Sequence, residues 1–223
     1  PYEKTYLEVI GAGGATTTGG TPTNIDLIHA GLLCCDRALF SNSTDSAKKG
    51  WPEANLRTWL QKRYMNALPA ALREMVEEVK IKSVIYGDGT VAGAKTIESS
   101  DKVYLPCYQD MFGGTKAPYT ECGKQIPWII SNVTRARFLG MTSRENCTFT
   151  SDSLPDDPAV GDVCYYSSYC YIWNGHIWVR ARAFWLRDAY PTNTNNYWNV
   201  NNNGNNDYNN SNNSYGIMPR LHL

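Results

Sequence analysis

The 223-residue chain predicts an α+β fold, with two helices packed on short, twisted antiparallel strands and much irregular loop. Three observations predict it. Apolar residues recur at helical spacing from Trp51 to Tyr64 and again after Pro69. Beyond Lys80 the period changes to short runs typical of strands. Asn174-Gly175 lies between Tyr171-Ile172-Trp173 and His176-Ile177-Trp178, a strong hairpin signal because both residues tolerate the positive φ of a tight turn.

The segment up to Gly20 is rich in Gly and Thr and predicts strand and loop. Thr23 to Phe40 is apolar and fits either helix or strand, with Asn24 and Asp26 placed to cap a helix. Pro52 then suits a first helical turn, followed by Leu56, Trp59, Leu60 and Tyr64 at helical spacing. Pro69 opens a second helix, with Leu72, Met75, Val76 and Val79 on one face and Glu74, Glu77 and Glu78 on a solvated side. Ile81 to Tyr86 and Lys102 to Tyr108 predict strands around the Gly-rich loop Gly87 to Gly93, with further short β segments to Leu139.

Ser151 to Val179 predicts a small β-meander, an inserted module over residues 151–180. A two-residue turn at Asn174-Gly175 would set Trp173 opposite His176 and Tyr171 opposite Trp178. A two-residue turn at Ser167-Ser168 would set Tyr165 opposite Cys170 and Cys164 on the other face, against a Cys164–Cys170 disulfide. Ala183 to Arg187 predicts a core strand, and Tyr215 to Leu221 a closing strand with Pro219 at an edge or bulge. Trp51, Leu56, Trp59, Leu60, Trp185 and Leu186 are expected to share one core within a single domain over residues 1–223.

The formal net charge is zero, so no basic footprint for nucleic acid appears. No apolar run is long enough for membrane insertion. The chain opens on Pro1 without a signal-peptide pattern, which fits a segment of something longer. Cys34, Cys35, Cys107, Cys122, Cys147, Cys164 and Cys170 lack CxxC spacing, so buried, reduced thiols from a bacterial cytoplasm are expected, and no metal or cofactor. His29, His176 and His222 have no recognisable nucleophile motif nearby. Gly11-Ala12-Gly13-Gly14 lacks the Lys-Ser/Thr of a phosphate loop, and Asp156-Asp157 between prolines suits a turn. No catalytic residue is assigned.

The candidate site is the stretch from Asn193 to Asn213, which holds thirteen Asn against seven in the rest of the chain. Its flanking apolar strands tie it down at both ends, so it is expected to be an ordered, loop-rich surface. The predicted ligand-contacting residues are Asn193, Asn195, Asn196, Tyr197, Trp198, Asn199, Asn201, Asn202, Asn203, Asn205, Asn206, Tyr208, Asn209, Asn210, Asn212 and Asn213. Asn199-x-Asn201-x-Asn203-Gly204 imitates the start of a calcium loop, but position twelve is Asn210 and only Asp207 is charged, so no calcium is expected there.

Three motifs carry a resemblance. Trp185-Leu186-Arg187, a polar stretch, then Gly216-Ile217-Met218-Pro219-Arg220 resembles the closing pattern of C-type-lectin-like bacterial and phage proteins. Trp51-Pro52-Glu53-Ala54-Asn55-Leu56-Arg57-Thr58-Trp59-Leu60 resembles their Trp-x-x-Ser-x-Leu-Arg-x-Trp-Leu helix. Lys102 to Tyr108 is similar to their Leu-Pro-Ser strand, with Cys107 for Ser. Met218 stands where the family has Arg, and Arg220 follows Pro219. Within that family the tract over residues 190–215 resembles the variable region of diversity-generating retroelements, the class that includes the phage tropism determinant. Such systems mutate adenines, and Asn codons begin with two of them. Gly161-Asp162-Val163, Ile172-Trp173-Asn174-Gly175 and Trp178 resemble small modules of phage structural proteins. The resemblance implies receptor binding on a phage tail fibre or bacterial surface, with a protein or glycan partner on a bacterium and a homotrimer as the fibre arrangement. A structural virion or pilus subunit is the alternative. A formylglycine-generating type of enzyme would use cysteines near the C-terminal end, and none follows Cys170.

Overall fold

The computed structural model describes residues 6–12, 25–30, 33–41, 45–126, 163–166, 169–173, 178–180, 183–201 and 204–223. The fold is mixed α+β, with few short helices and several antiparallel sheets. The ambiguous apolar segment is strand: β2 (Ile25–Ala30) and β3 (Leu33–Leu39) follow β1 (Tyr6–Ala12). Asn24 lies outside the described residues, and Asp26 caps no helix. Asp26 lies inside β2, where its Oδ1 sits 2.8 Å from Nδ1 of His222.

The first predicted helix is real but composite. After α1 (Ser46–Lys49) and a 3-10 turn Trp51–Glu53 come α2 (Asn55–Trp59), a π turn Leu60–Tyr64 and α3 (Met65–Ala67). Leu56, Leu60, Tyr64 and Met65 are buried, a stripe with the wider spacing of a π turn. Trp59 falls on the flank of that stripe and is 37% exposed, so it does not join the core as expected. The second helix is shorter than its apolar pattern: α4 ends at Met75, which is exposed. Val76 is already extended, and Val79 begins β4 (Val79–Ile85), opposite Asp101. β-branched residues that fit a pleated surface win over helical periodicity here.

β4 pairs in register with β5 (Lys95–Asp101), with Val79 and Ile81 buried and Lys80 and Lys82 exposed between them. The strand predicted over Lys102 to Tyr108 is only β6 (Val103–Tyr104), and α5 (Tyr108–Phe112) follows it. Cys107 caps α5. Its Sγ accepts from the Asp110 N–H at 3.3 Å, and the Asp110 carboxylate accepts the Cys107 N–H at 2.8 Å. A thiol thus fills the role that Ser plays in a capping box. Further β segments do not appear before Ile126; the chain forms a 3-10 turn at Tyr119–Glu121, and residues 127–139 lie outside the described residues.

The predicted meander is a sheet of β7 (Val163–Tyr166), β8 (Tyr169–Trp173) and β9 (Trp178–Arg180). Tyr165 pairs with Cys170 and Cys164 with Tyr171, as the first turn predicts. The second turn differs. Trp173 pairs with Trp178 and Tyr171 with Arg180, so four residues connect the strands and the expected Trp173–His176 pairing is not formed. The turn residues 174–177 lie outside the described residues.

The tail carries β10 (Phe184–Ala189), β11 (Asn196–Val200), β12 (Asn206–Asn210), β13 (Ser214–Ile217) and β14 (Arg220–His222). The expected single closing strand splits at Met218-Pro219: β13 joins the five-stranded sheet β12-β11-β10-β13-β3, and β14 joins the four-stranded sheet β1-β2-β14-β6. Proline removes a ladder donor, which suits a strand changing sheets. All of β10 is buried. Trp185 faces the main core with Phe40, Trp51, Leu56, Leu60 and Tyr197, whereas Leu186 is buried on the opposite face of β10, outside that cluster. Phe40 stacks on Tyr197 with centroids 3.7 Å apart and meets Trp185 edge-on at 5.8 Å.

Candidate functional site

The Asn tract folds as a hairpin. β11 and β12 pair antiparallel from Asn196–Asn210 to Val200–Asn206, and β12 is the edge of its sheet. The hairpin turn is built by Asn201: its N–H donates to the Asn205 carbonyl, its carbonyl accepts from Gly204, and its Oδ1 accepts the Asn205 N–H at 3.0 Å. Gly204 has φ +77°, the left-handed region in which glycine is unstrained.

Strand alternation sorts the predicted contact residues into two faces. One face turns to the core. Tyr197 is buried there, and its hydroxyl donates to the Ser46 carbonyl at 2.7 Å. Asn199 is fully buried beside it, and neither its Oδ1 nor its Nδ2 has a hydrogen-bond partner among the described residues. Asn209 donates from Nδ2 to the Tyr215 hydroxyl at 2.6 Å. Asn195, just ahead of β11, accepts through Oδ1 from Ser46 at 3.1 Å and Ser211 at 2.6 Å, and Asn193 Oδ1 accepts the Asn195 N–H. Asn196, which alternation puts on the Trp198 face opposite Asn210, is also buried. Tyr197, Asn196 and Asn199 therefore do not belong to the expected contact surface, and Asn195, Asn201 and Asn209 have anchoring roles. Asn202 and Asn203 lie outside the described residues.

The second face is exposed and aromatic. Tyr208 is 43% exposed and lies flat on Tyr190, with centroids 3.7 Å apart and planes 5° from parallel. Trp198 stands edge-on to both rings, at 4.9 Å from Tyr190 and 6.0 Å from Tyr208. Its indole N–H donates to the Tyr119 hydroxyl at 2.8 Å, which fixes the ring's orientation. Tyr108 packs on Trp198 at 4.8 Å, and its hydroxyl accepts from Asn206 Nδ2 at 3.2 Å. Asn193, Asn205, Asn206, Asn210, Asn212 and Asn213 are exposed.

Beneath this face sits Asp188. Its carboxylate accepts the Val84 N–H at 2.8 Å and the Tyr108 N–H at 2.7 Å, tying β10 to β4 and to the start of α5. Burial pushes its carboxyl up to about 6, against the pull of Arg187 and the two N–H donors. Burial likewise holds the Tyr119 phenol well above its ordinary range. The base of the aromatic face is thus a small buried core of Val84, Cys107, Tyr119 and Cys122.

A cavity of about 300 Å³ is lined by Lys80, Lys82, Lys124, Asp110, Arg187 and Arg220 among others. Its charges are largely spent within the fold. Arg187 donates to the carbonyls of Lys82, Leu105 and Cys122, and Arg220 pairs with Asp110 at 2.6 Å. Lys80 pairs with Glu98 at 3.5 Å and Lys82 with Glu121 at 3.4 Å. Among the described residues no cluster of three or more His, Cys, Asp or Glu is placed to hold a metal ion.

The sequence family described as a domain of unknown function (DUF6273) matches residues 32–223. The chain belongs to that family. No curated protein and no solved structure matches it. The family boundary takes in the Trp51 helix, the Cys107 cap, β10 and the whole Asn hairpin.

Sequence reasoning found Trp198 and Tyr208 but missed Tyr108, Tyr119 and Asp188 as the support of the face. Tyr119 and Trp198 stand 79 positions apart, so spacing carries no trace of their contact. The readable signal was smaller: Asp188, next to Arg187 in a run that is otherwise apolar after Phe184, needed buried donors.

Proposed function

We propose that this chain is a binding protein, not an enzyme, and that the outer face of the β11–β12 hairpin meets a protein or glycan on a bacterial surface. The observation that carries the reading is the exposed Tyr208 ring, held flat on Tyr190 and bordered by exposed Asn206 and Asn210 on the edge of a five-stranded sheet. Binding surfaces use aromatic anchors with adaptable polar neighbours. We further propose a C-type-lectin-like fold and a variable region of a diversity-generating retroelement, displayed on a phage fibre, as a trimer, or on a bacterial surface. Two details favour this family. Cys107 caps α5 at the Ser position of the Leu-Pro-Ser motif, and Arg220 supplies a buried guanidinium although Met218 replaces the family's Arg. Buried Asn199, with both polar atoms unmet, gives the fold nothing, which fits a residue set by codon chemistry.

The test is a library of tyrosine and other pyrimidine-ending-codon residues at Asn205, Asn206, Asn210, Asn212 and Asn213. It is scored in parallel for binding to intact bacteria and for stability. Binders should emerge, and most variants should stay within about 0.5 kcal/mol of the parent, as exposed substitutions do. A library without binders, or with widespread unfolding, would end the reading. A structural virion subunit would give the first of these results.

A further inference from the structure

We propose that the ligand class of this face is a neutral glycan, gripped by stacking of a sugar ring on Tyr208 and by the amides of Asn206 and Asn210. The inference rests on the binding-face reading and narrows it. One side of the Tyr208 ring is covered by Tyr190 at 3.7 Å, so the exposed part of the ring is its opposite side and edges. An aromatic face carries negative charge density and attracts the weakly positive C–H groups on one side of a pyranose. Trp198, perpendicular to both rings, keeps the platform from tilting.

The polar groups are spaced to match. Asn206, Tyr208 and Asn210 are alternate residues of one strand and share a face. Alternate Cα atoms in a strand lie about 7 Å apart, so an amide stands on each side of the ring at roughly the width of one sugar. A carboxamide both donates and accepts, as a hydroxyl does, and can pair with equatorial hydroxyls around a stacked ring.

Charge narrows the partner further. Tyr108, Tyr190, Trp198, Asn206, Tyr208 and Asn210 carry no formal charge. Asp207, the charged residue of β12, alternates to the other face, and its Oδ1 accepts the Tyr208 N–H at 2.8 Å. Among the described residues, this face has nothing to neutralise an acidic or basic partner. It also exposes no aliphatic side chain from β11 or β12, since Val200 is buried, so its apolar contact is the aromatic ring of Tyr208, a flat surface suited to a sugar ring. A neutral polyol with one apolar ring face is the complementary chemistry.

The experiment uses the full chain on an array of neutral oligosaccharides and acidic glycans, with a fluorescence titration for each hit in the presence and absence of EDTA. We expect neutral glycans to bind with roughly millimolar affinity, the range for a single small contact, made visible by multivalent display. Tyr208→Ala should weaken binding at least about tenfold with unchanged thermal midpoint. Tyr208→Phe and Tyr208→Trp should retain it, because the ring and not the hydroxyl makes the contact. EDTA should have no effect. An array with no neutral hit, preference for acidic glycans, loss in EDTA, or binding unaffected by Tyr208→Ala would each overturn the glycan proposal. The library above separates the two readings: binders to protease-sensitive, periodate-resistant cell targets, with a silent array, would keep the face and discard the glycan.

Discussion

Asp101→Ala should unfold this protein more readily than any exposed change in the Asn hairpin. Asp101 ends β5, its carboxylate is fully buried, and four donors converge on it. Trp51 Nε1 and Ser99 Oγ reach Oδ2 at 3.1 Å and 2.6 Å; Arg57 Nε and Gln61 Nε2 reach Oδ1 at 2.6 Å and 2.9 Å. The carboxylate therefore docks the 3-10 turn and α2 against the β4–β5 hairpin. Without it Trp51 Nε1 becomes an unmet donor in the core, a penalty of about 1–3 kcal/mol. Breaking one side of a buried ion pair costs about 3–5 kcal/mol. Arg57 tempers this, because its side chain is 25% exposed and its terminal nitrogens stay bonded to the carbonyls of Pro52 and Ser100. The total should be about 3–4 kcal/mol. Urea unfolding read by tryptophan fluorescence measures it, provided the slope is unchanged. A cycle with Arg57→Met should show coupling of at least about 1 kcal/mol. A loss below about 1 kcal/mol for Asp101→Ala would refute the docking argument.

Three further outcomes follow from burial and charge. Trp51→Ala should cost about 3–5 kcal/mol, whereas Trp59→Ala, on the exposed flank, should cost about 1 kcal/mol; equal losses in denaturant melts would contradict the composite helix. Asp188, raised in the fold to about 6 from an ordinary value of 3.8, gives stability that is present below the unfolded value and lost as pH rises through about 6. Carboxyl-carbon NMR should show a titration near that pH that vanishes in Asp188→Asn; an ordinary midpoint for Asp188 would refute the assignment. Asn199→Leu removes two unmet buried polar atoms and should raise stability by about 1–3 kcal/mol, and a thermal midpoint below the parent's would mean that Asn199 has a partner.

The residues that were legible in the sequence are those whose role is local. Pro52 sits at a helix start, and the two-residue turn after Tyr166 sets Tyr165 opposite Cys170. The failures share one cause. Trp59 sits at the right spacing for a helical face, but a π turn shifts the buried stripe by part of a turn. Val79 fits the same helical period, yet its cross-strand partner, Asp101, lies 22 residues away. A period reports what one element could bury, and the partner that arrives decides what it does bury.

The Asn tract shows the same limit in a sharper form. A strand normally announces its two faces by alternating apolar and polar residues. In β11 and β12 the same amide occupies both faces, so Asn199 in the core and Asn206 in solvent look alike in sequence. The aromatic residues mark the difference. Tyr197 locks the inner face against Phe40, while Trp198 and Tyr208 define the outer one. If composition here followed folding energy, Asn199 would be apolar, because a buried amide without partners is destabilising. The anchors can hold a hairpin whose remaining positions are free to change: Asn195 on Ser46 and Ser211, Asn209 on Tyr215, and Tyr197 on Ser46. That division of labour suits the binding face proposed above, in which Asn206, Asn210, Asn212 and Asn213 are the positions where sequence change should alter recognition and leave the fold intact.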